Sequence, residues 1–348
     1  GPDEPGLPRK LWDLPRELMS VDPPFITSAA FRQAMPWVGT KYWFQSWGKA
    51  ARAFGEQGAY DAQMAKIKES PLFRDAIYSK GHGKKVSFAD LIGLRMVDLQ
   101  SAAKTRQEGI GARLSEKIPI YGRYVKASNR AFAAFLNHLK FSNLEAFVKD
   151  GKVMSAAEGN QSLDLTRNIP LAKEFAEFIN DSTGSGSLKT GVGTHQYSLE
   201  MHASKLADVF FSPRLMASRV RMLNPNTYIM ANPAVRRQYL NAMLRTVAAW
   251  WGFAQLGKLA GGEVSTDPNN PDFGKIKFGN TRLDPGAGFQ QFLVLGSRIK
   301  PDWMHAPEEW KTDTGFMPFD LASGLATTPG GSYSSSISGR SRHYGVGY

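Results

Sequence analysis

Apolar residues recur at helical spacing through most of the chain, and the breaks between runs fall at prolines, glycines and capping side chains. Ser87 and Asp90 form a serine-x-x-acid capping box ahead of Phe88, Leu91, Ile92, Leu94, Val97 and Leu99, which predicts a helix leading to a polar, glycine-containing stretch that ends near Lys117 and Pro119. Tyr124, Ala127, Ala131, Phe135, Leu139, Leu144 and Phe147 predict a second helix over about 122–150, and the two are expected to pair as a hairpin. An Ala-rich stretch up to Glu69 also reads as helical, and Pro170 starts a short helix through Ile179. Three later helices begin alike, at Ser212–Pro213, Asn224–Pro225 and Asn232–Pro233. Each places a capping side chain before a proline that has no amide to leave unpaired. The last of them, from Pro233 to about Lys258, is the most apolar predicted element.

Beyond Gly261 the period changes. Ile276 and Phe278 alternate up to Gly279–Asn280, with Thr281 and Leu283 after it, which predicts a β-hairpin. A helix from Gly286 to Ile299 is expected to follow. The fold class is therefore mainly α: a multi-helix assembly with one short β-hairpin near residues 274–284 and extended, Pro/Gly-rich termini. Four regions are expected: a Pro-rich extended linker over 1–36 with Trp12 and Leu14 as isolated anchors, a helical region over 37–160, a helical domain with the hairpin over 161–300, and coil with a low-complexity tail over 301–348. The glycine- and serine-rich stretch 181–194 is a candidate hinge. The opening on Gly1 followed by closely spaced prolines points to a piece of a longer polypeptide.

Charge sharpens this picture. The net charge of +12 and a pI near 9.7 imply an anionic partner, DNA, RNA or acidic lipid. From Val209 to Gly262 there are 54 residues without an Asp or Glu, while Arg214, Arg219, Arg221, Arg236, Arg237, Arg245 and Lys258 supply seven positive charges. These seven are the candidate contacts to DNA or lipid, with a packed-core role, capping helices or binding carbonyls, as the competing reading. Within the same segment Thr246 to Gly257 is uncharged and includes Trp250, Trp251 and Phe253. A helix of that length spans about 18 Å, short of the roughly 30 Å hydrocarbon core of a bilayer. A buried helix or a shallow membrane contact both fit. Trp250, Trp251 and Phe253, together with Trp43 and Trp47 from an aromatic cluster over 37–47, are the candidate assembly or membrane contacts, and for that cluster a core anchor or intersubunit seam is favoured over a membrane-interface belt.

Motifs that suggest chemistry fail on inspection. The chain has no cysteine, which excludes disulfides, thiolate metal sites and cysteine nucleophiles. Asp272–Phe273–Gly274 matches a kinase metal-binding triplet but lacks its companions and lies in the predicted hairpin region. The Gly81–Lys85 stretch has Tyr78 where a phosphate loop needs its first glycine, and Lys85 where Ser or Thr should stand. Gly191 and Gly193 have Gln196 where a dinucleotide fingerprint needs its third glycine. His195, Glu200 and His202 lack a metal spacing, and Glu174 with Glu177 reads as a solvated helix face. No catalytic residue, cofactor or metal is expected.

The order and spacing of one segment carry a resemblance. Phe210, Phe211, Ser212, Pro213 and Arg214, then Ala217–Arg219, Leu223–Pro225 and Val235–Arg237, continue through Lys258–Gly261, Glu263, Asp267–Pro268, Asp272–Ile276 and Gly279–Arg282. Over roughly 165–300 the chain resembles a domain of large polyvalent proteins from bacteriophages and conjugative elements. Residues 1–160 carry no comparable resemblance. The likeness implies context and supplies no catalytic residues: a phage internal virion (ejection) protein that forms a homo-oligomer with other injected proteins and helps move phage DNA across the host envelope. The virion, then the host periplasm, inner membrane or cytoplasm, would be its location. An accessory nucleic-acid-binding module of a larger injected enzyme, and a static head or tail component, are the alternatives.

Overall fold

A computed structural model describes residues 28–80, 84–99, 121–159, 161, 164–190, 197–198, 213–267, 270, 272–286, 289 and 292. After a π-helical turn at Ser28–Gln33 and a 3-10 turn at Met35–Trp37 come α1 (Lys41–Gly55), α2 (Gln57–Glu69) and α3 (Pro71–Arg74). The hairpin β1 (Tyr78–Lys80) and β2 (Lys84–Val86) leads to α4 (Phe88–Ile92) and the long α5 (Tyr121–Glu158). Then follow α6 (Ile169–Ser182), the paired β3 (Lys189–Thr190) and β4 (Tyr197–Ser198), α7 (Pro213–Leu223), α8 (Pro225–Met230) and α9 (Pro233–Leu259). Strands β5 (Glu263–Val264), β6 (Ile276–Phe278) and β7 (Thr281–Leu283) follow as an antiparallel sheet in the order β5-β6-β7. The protein is mainly α, and the expected hairpin is β6–β7, turning at Gly279–Asn280 with Phe278 opposite Thr281.

Helix α5 is the central element. Its inward face (Ala131, Phe135, Leu136, Leu139, Leu144) is fully or almost fully buried, and its largest interface is with α1. Arg130 caps that partner by donating to the Ala53 and Phe54 carbonyls at 3.1 and 3.3 Å, which satisfies acceptors that the end of α1 leaves open. The expected hairpin with the Ser87 helix is replaced by this pairing. That helix stops at Ile92 because Gly93 adopts the left-handed conformation (φ 79°). Leu94 and Val97 are then buried as an irregular segment stitched to the core by polar side chains. Asn137, wholly buried, accepts from the Val97 amide at 2.7 Å and donates to the Val97 carbonyl at 2.8 Å. Asn180 does the same for the Arg95 amide and the Gly93 carbonyl, both at 2.9 Å. Lys140 donates to the Arg95 carbonyl and to Ser185 Oγ. The Ala-rich stretch also divides, into α1 and α2, where Glu56 is extended (φ −134°).

Three boundaries move. Within the expected 1–36 linker, Ala29, Ala30, Ala34 and Met35 have no exposed surface, because the apolar run into Trp37 docks on α1 and α6: Trp43 donates to the Ala30 carbonyl and Trp37 to Ser182 Oγ. Among the described residues the regions 37–160 and 161–300 share one core, since α5 and α6 pack together and core side chains come from both. The candidate hinge is, over its described part, an anchored segment: Asp181, Ser182, Thr183, Ser185 and Ser187 are buried, and the Gly186 amide donates to Ser218 Oγ at 2.8 Å. Helix α5 also runs eight residues past its expected end at Asp150. Trp12, Leu14, the Ser212 cap, the motifs at Gly191–Gly193 and His195–His202, most of the expected 286–299 helix and the 301–348 tail lie outside the described residues.

The small sheet leans on the end of α9. Trp250 Nε1 donates to the Gly274 carbonyl at 3.1 Å, and Phe273 packs edge-on to the same indole at 5.8 Å. At Gly274 (φ +67°) an added Cβ would stand 2.2 Å from Trp250 Cζ2. Gly274→Ala is therefore expected to lower stability by about 2–4 kcal/mol, from left-handed strain plus overpacking. Gly252→Ala, at a helical site with nothing within 4 Å of the added carbon, is expected to raise it by about 0.5–1 kcal/mol. Urea-denaturation midpoints of the two variants check both signs.

Candidate functional site

Helix α9 holds most of the singled-out residues and owes its start and stop to local chemistry. Asn232 accepts from the Ala234 amide at 3.0 Å, Pro233 needs no partner, and Gly261 (φ +83°) ends the helix beyond Ala260. The related start at Asn224 is also formed, with the side chain accepting from the Asn226 amide. One face of α9 is buried through Val235, Tyr239, Ala242, Thr246, Trp250 and Gly257.

The seven candidate cations separate sharply. Arg219 is fully buried: it donates to the Arg32 carbonyl and lies over the Phe289 ring at 4.5 Å. Burial pushes its guanidinium down to about 9, Arg32 adds to the fall and Asp181 opposes it, so it stays charged at neutral pH. Arg214 is buried and donates to the Gly186 carbonyl at 3.3 Å. Arg245 donates to the Pro36 carbonyl at 2.8 Å and sits over the Trp37 ring at 5.7 Å. Arg236 donates to the Ile229 and Ala231 carbonyls and so closes the end of α8. Arg221 donates through Nε to Asp181 at 2.9 Å and through a terminal nitrogen to Glu177 at 3.0 Å. The expectation of seven anion contacts is corrected for these five, because each already spends donors on backbone carbonyls or carboxylates of the fold and none is fully exposed. Arg237 and Lys258 alone of the seven are exposed, with no hydrogen bond or ion pair among the described residues.

The aromatic candidates divide the same way. Trp43 is buried, and Trp47 packs against Phe135 and Phe31, the latter also meeting Phe253 at 5.2 Å. Trp250 is buried under the sheet. As surface contacts, Trp43 and Trp250 are corrected to core positions by this burial, and Trp47 and Phe253 are largely used inside the same aromatic cluster. Trp251 is half exposed, at 51%.

Trp251 does not stand alone. Leu240, Leu244 (68% exposed), the neighbours Val247 and Ala248, and Trp251 recur at helical spacing on the side of α9 opposite its buried face. Arg237 lies at the start of this stripe and Lys258 at its end. Leu240 and Leu244 were not singled out from the sequence because the conspicuous uncharged run, Thr246–Gly257, starts after them; the helical period separates them from Tyr239, Ala242 and Thr246.

A second feature, inside the protein, was also missed. Asp181 is 1% exposed, and its Oδ2 accepts from Arg221 and, at 2.8 Å, from the Tyr239 hydroxyl. Burial pushes the carboxyl up to about 6, while the Arg221 guanidinium and the Tyr239 hydroxyl oppose the rise. Among the described residues no group of three or more His, Asp or Glu side chains could hold a metal ion. Asp272, from the kinase-like triplet, is paired with Lys275 and Arg282. Glu174 and Glu177 accept from the Asn232 amide and from Arg221 respectively, and so act within the fold. A comparison with known protein families, curated proteins and solved structures finds no match to this chain.

Asp181→Ala is expected to cost about 3 kcal/mol, since it leaves Arg221 and Tyr239 without their shared acceptor in the interior. Tyr239→Phe should cost about 1 kcal/mol, because the ring packing is kept and one hydrogen bond is lost. Equilibrium denaturation at neutral pH measures both; equal costs would contradict the assignment of Asp181 as the hub.

Proposed function

We propose that the protein is a non-catalytic internal virion (ejection) protein of a bacteriophage, which assembles with copies of itself and other injected proteins and helps phage DNA cross the host envelope. The reading is supported by the resemblance over roughly 165–300, by a helical fold without cysteines, and above all by one structural observation. Helix α9 is anchored along one face and carries an apolar stripe with cationic ends along the other. A contiguous exposed apolar patch of this kind marks an interaction surface. It suits a protein whose work is to join another surface, and it is in the segment that carries the resemblance.

The alternative of a nucleic-acid-binding accessory module draws its support from the arginine-rich stretch. That support is reduced because five of the cations already bond to carbonyls or carboxylates of the fold, since a phosphate contact is strongest from a free cation at the surface. Arg237 and Lys258 remain as candidates for DNA.

Quantitative mass spectrometry of purified phage particles, before and after triggered DNA release, tests the proposal. Peptides of this chain are expected in intact particles and lost on release. Retention would indicate a static head or tail component, and absence from both samples would remove the virion role.

A further inference from the structure

The outward face of α9 combines three properties that narrow its partner. It is apolar in the middle, positively charged at both ends, and free of carboxylates along its whole length. From Arg237 to Lys258 the helix extends about 32 Å at 1.5 Å per residue. No described helix is long and apolar enough to cross a membrane, so a bilayer could take this element only along its surface.

We propose that α9 seats on an anionic lipid bilayer, lying parallel to its plane with Leu240, Leu244, Val247 and Trp251 at the boundary between headgroups and acyl chains. Arg237 and Lys258 then meet lipid phosphates at the two ends of the stripe. The inference rests on the delivery role above only for which membrane is met; the chemistry of the surface is its own argument. Burial of the leucines supplies the apolar gain, the indole suits the interfacial layer, and the cations supply attraction to acidic lipid. The 54-residue stretch without an acid leaves no repulsion against such a surface within this segment. The nearest following acid, Glu263, is paired with Lys277 at 3.5 Å.

Charge separates this partner from the others. Two copies of α9 paired antiparallel, with Leu244 on Trp251, would bring Arg237 of each copy to Lys258 of the other. A parallel pair would bring each cation to its own copy. Both arrangements set like charges together with no carboxylate on the stripe to relieve them. A nucleic acid would complement the two cations, but its phosphates would face the apolar stripe between them.

The full chain is mixed with phosphatidylcholine vesicles, with or without phosphatidylglycerol, and binding is read by flotation and by tryptophan quenching from lipid brominated on its acyl chains. Strong binding is expected only with the anionic lipid. Leu244→Lys, which adds charge and removes an apolar group, should weaken binding about tenfold or more. Arg237→Gln with Lys258→Gln should weaken it and flatten its dependence on lipid charge, while Trp251→Phe should lose the quenched component. Circular dichroism checks that each variant is folded; the substituted sites are exposed or half-exposed.

Equal binding to neutral vesicles, or binding to anionic vesicles unchanged by Leu244→Lys, would overturn the proposal. So would a chain that ignores vesicles and instead forms a dimer broken by Leu244→Lys, which would give the stripe to a second copy. A chain found in particles that ignores vesicles overturns this inference and leaves the virion role standing. Vesicle binding by a chain absent from particles does the reverse.

Discussion

Asp181 brings a carboxylate into the space between α6, α7 and α9, where Arg221 and Tyr239 hydrogen-bond to the same oxygen. A buried acid without such partners would be strongly unfavourable, so its position fixes the side of α7 that turns inward and the rotation of α9 about its own axis. With Tyr239 inward, Val235, Ala242, Thr246 and Trp250 follow it into the core at helical intervals. Leu240, Leu244 and Trp251 are left on the far side. The candidate surface is thus a geometric consequence of an internal polar contact.

Besides Arg221 at Asp181, four more cations of this strongly basic segment are engaged within the fold. Guanidinium groups reach backbone carbonyls that apolar residues cannot satisfy, and here Arg214, Arg219, Arg236 and Arg245 each close such an acceptor. Arg245 also ties α9 to Pro36 and Trp37, which joins the amino-terminal turns to the carboxy-terminal half. Net charge therefore overstates the positive surface this segment offers. What it does offer is two separated cations with apolar residues between them, a pattern better matched to an acidic lipid surface than to a run of phosphates.

Local signals were legible in the sequence wherever the physics is local. The Asn224 and Asn232 caps and the Gly279–Asn280 turn act within a few residues, and they form as expected. Gly93 gave a local signal too, but it stood inside a convincing apolar period and was read through. Burial of Ser182 to Ser187 was not legible, because small polar residues look the same in a solvated loop and in one whose partners are Lys140 and Ser218. Nor could seven arginines and lysines be sorted into inner and outer groups without knowing which carbonyls the fold brings near them. The stripe on α9 lay between these cases: its spacing was present, but only the buried face shows which half of the helix is free.

The absence of cysteine from the sequence makes the orientation of α9 directly measurable. Single substitutions Leu240→Cys, Ala242→Cys, Leu244→Cys, Thr246→Cys and Trp251→Cys would be labelled with a soluble thiol reagent, without and then with anionic vesicles. Fast labelling is expected at 240, 244 and 251, slow labelling at 242 and 246, and protection of the fast group when vesicles are added. Labelling without that helical alternation, or vesicles that leave the fast positions unprotected, would contradict this placement of α9.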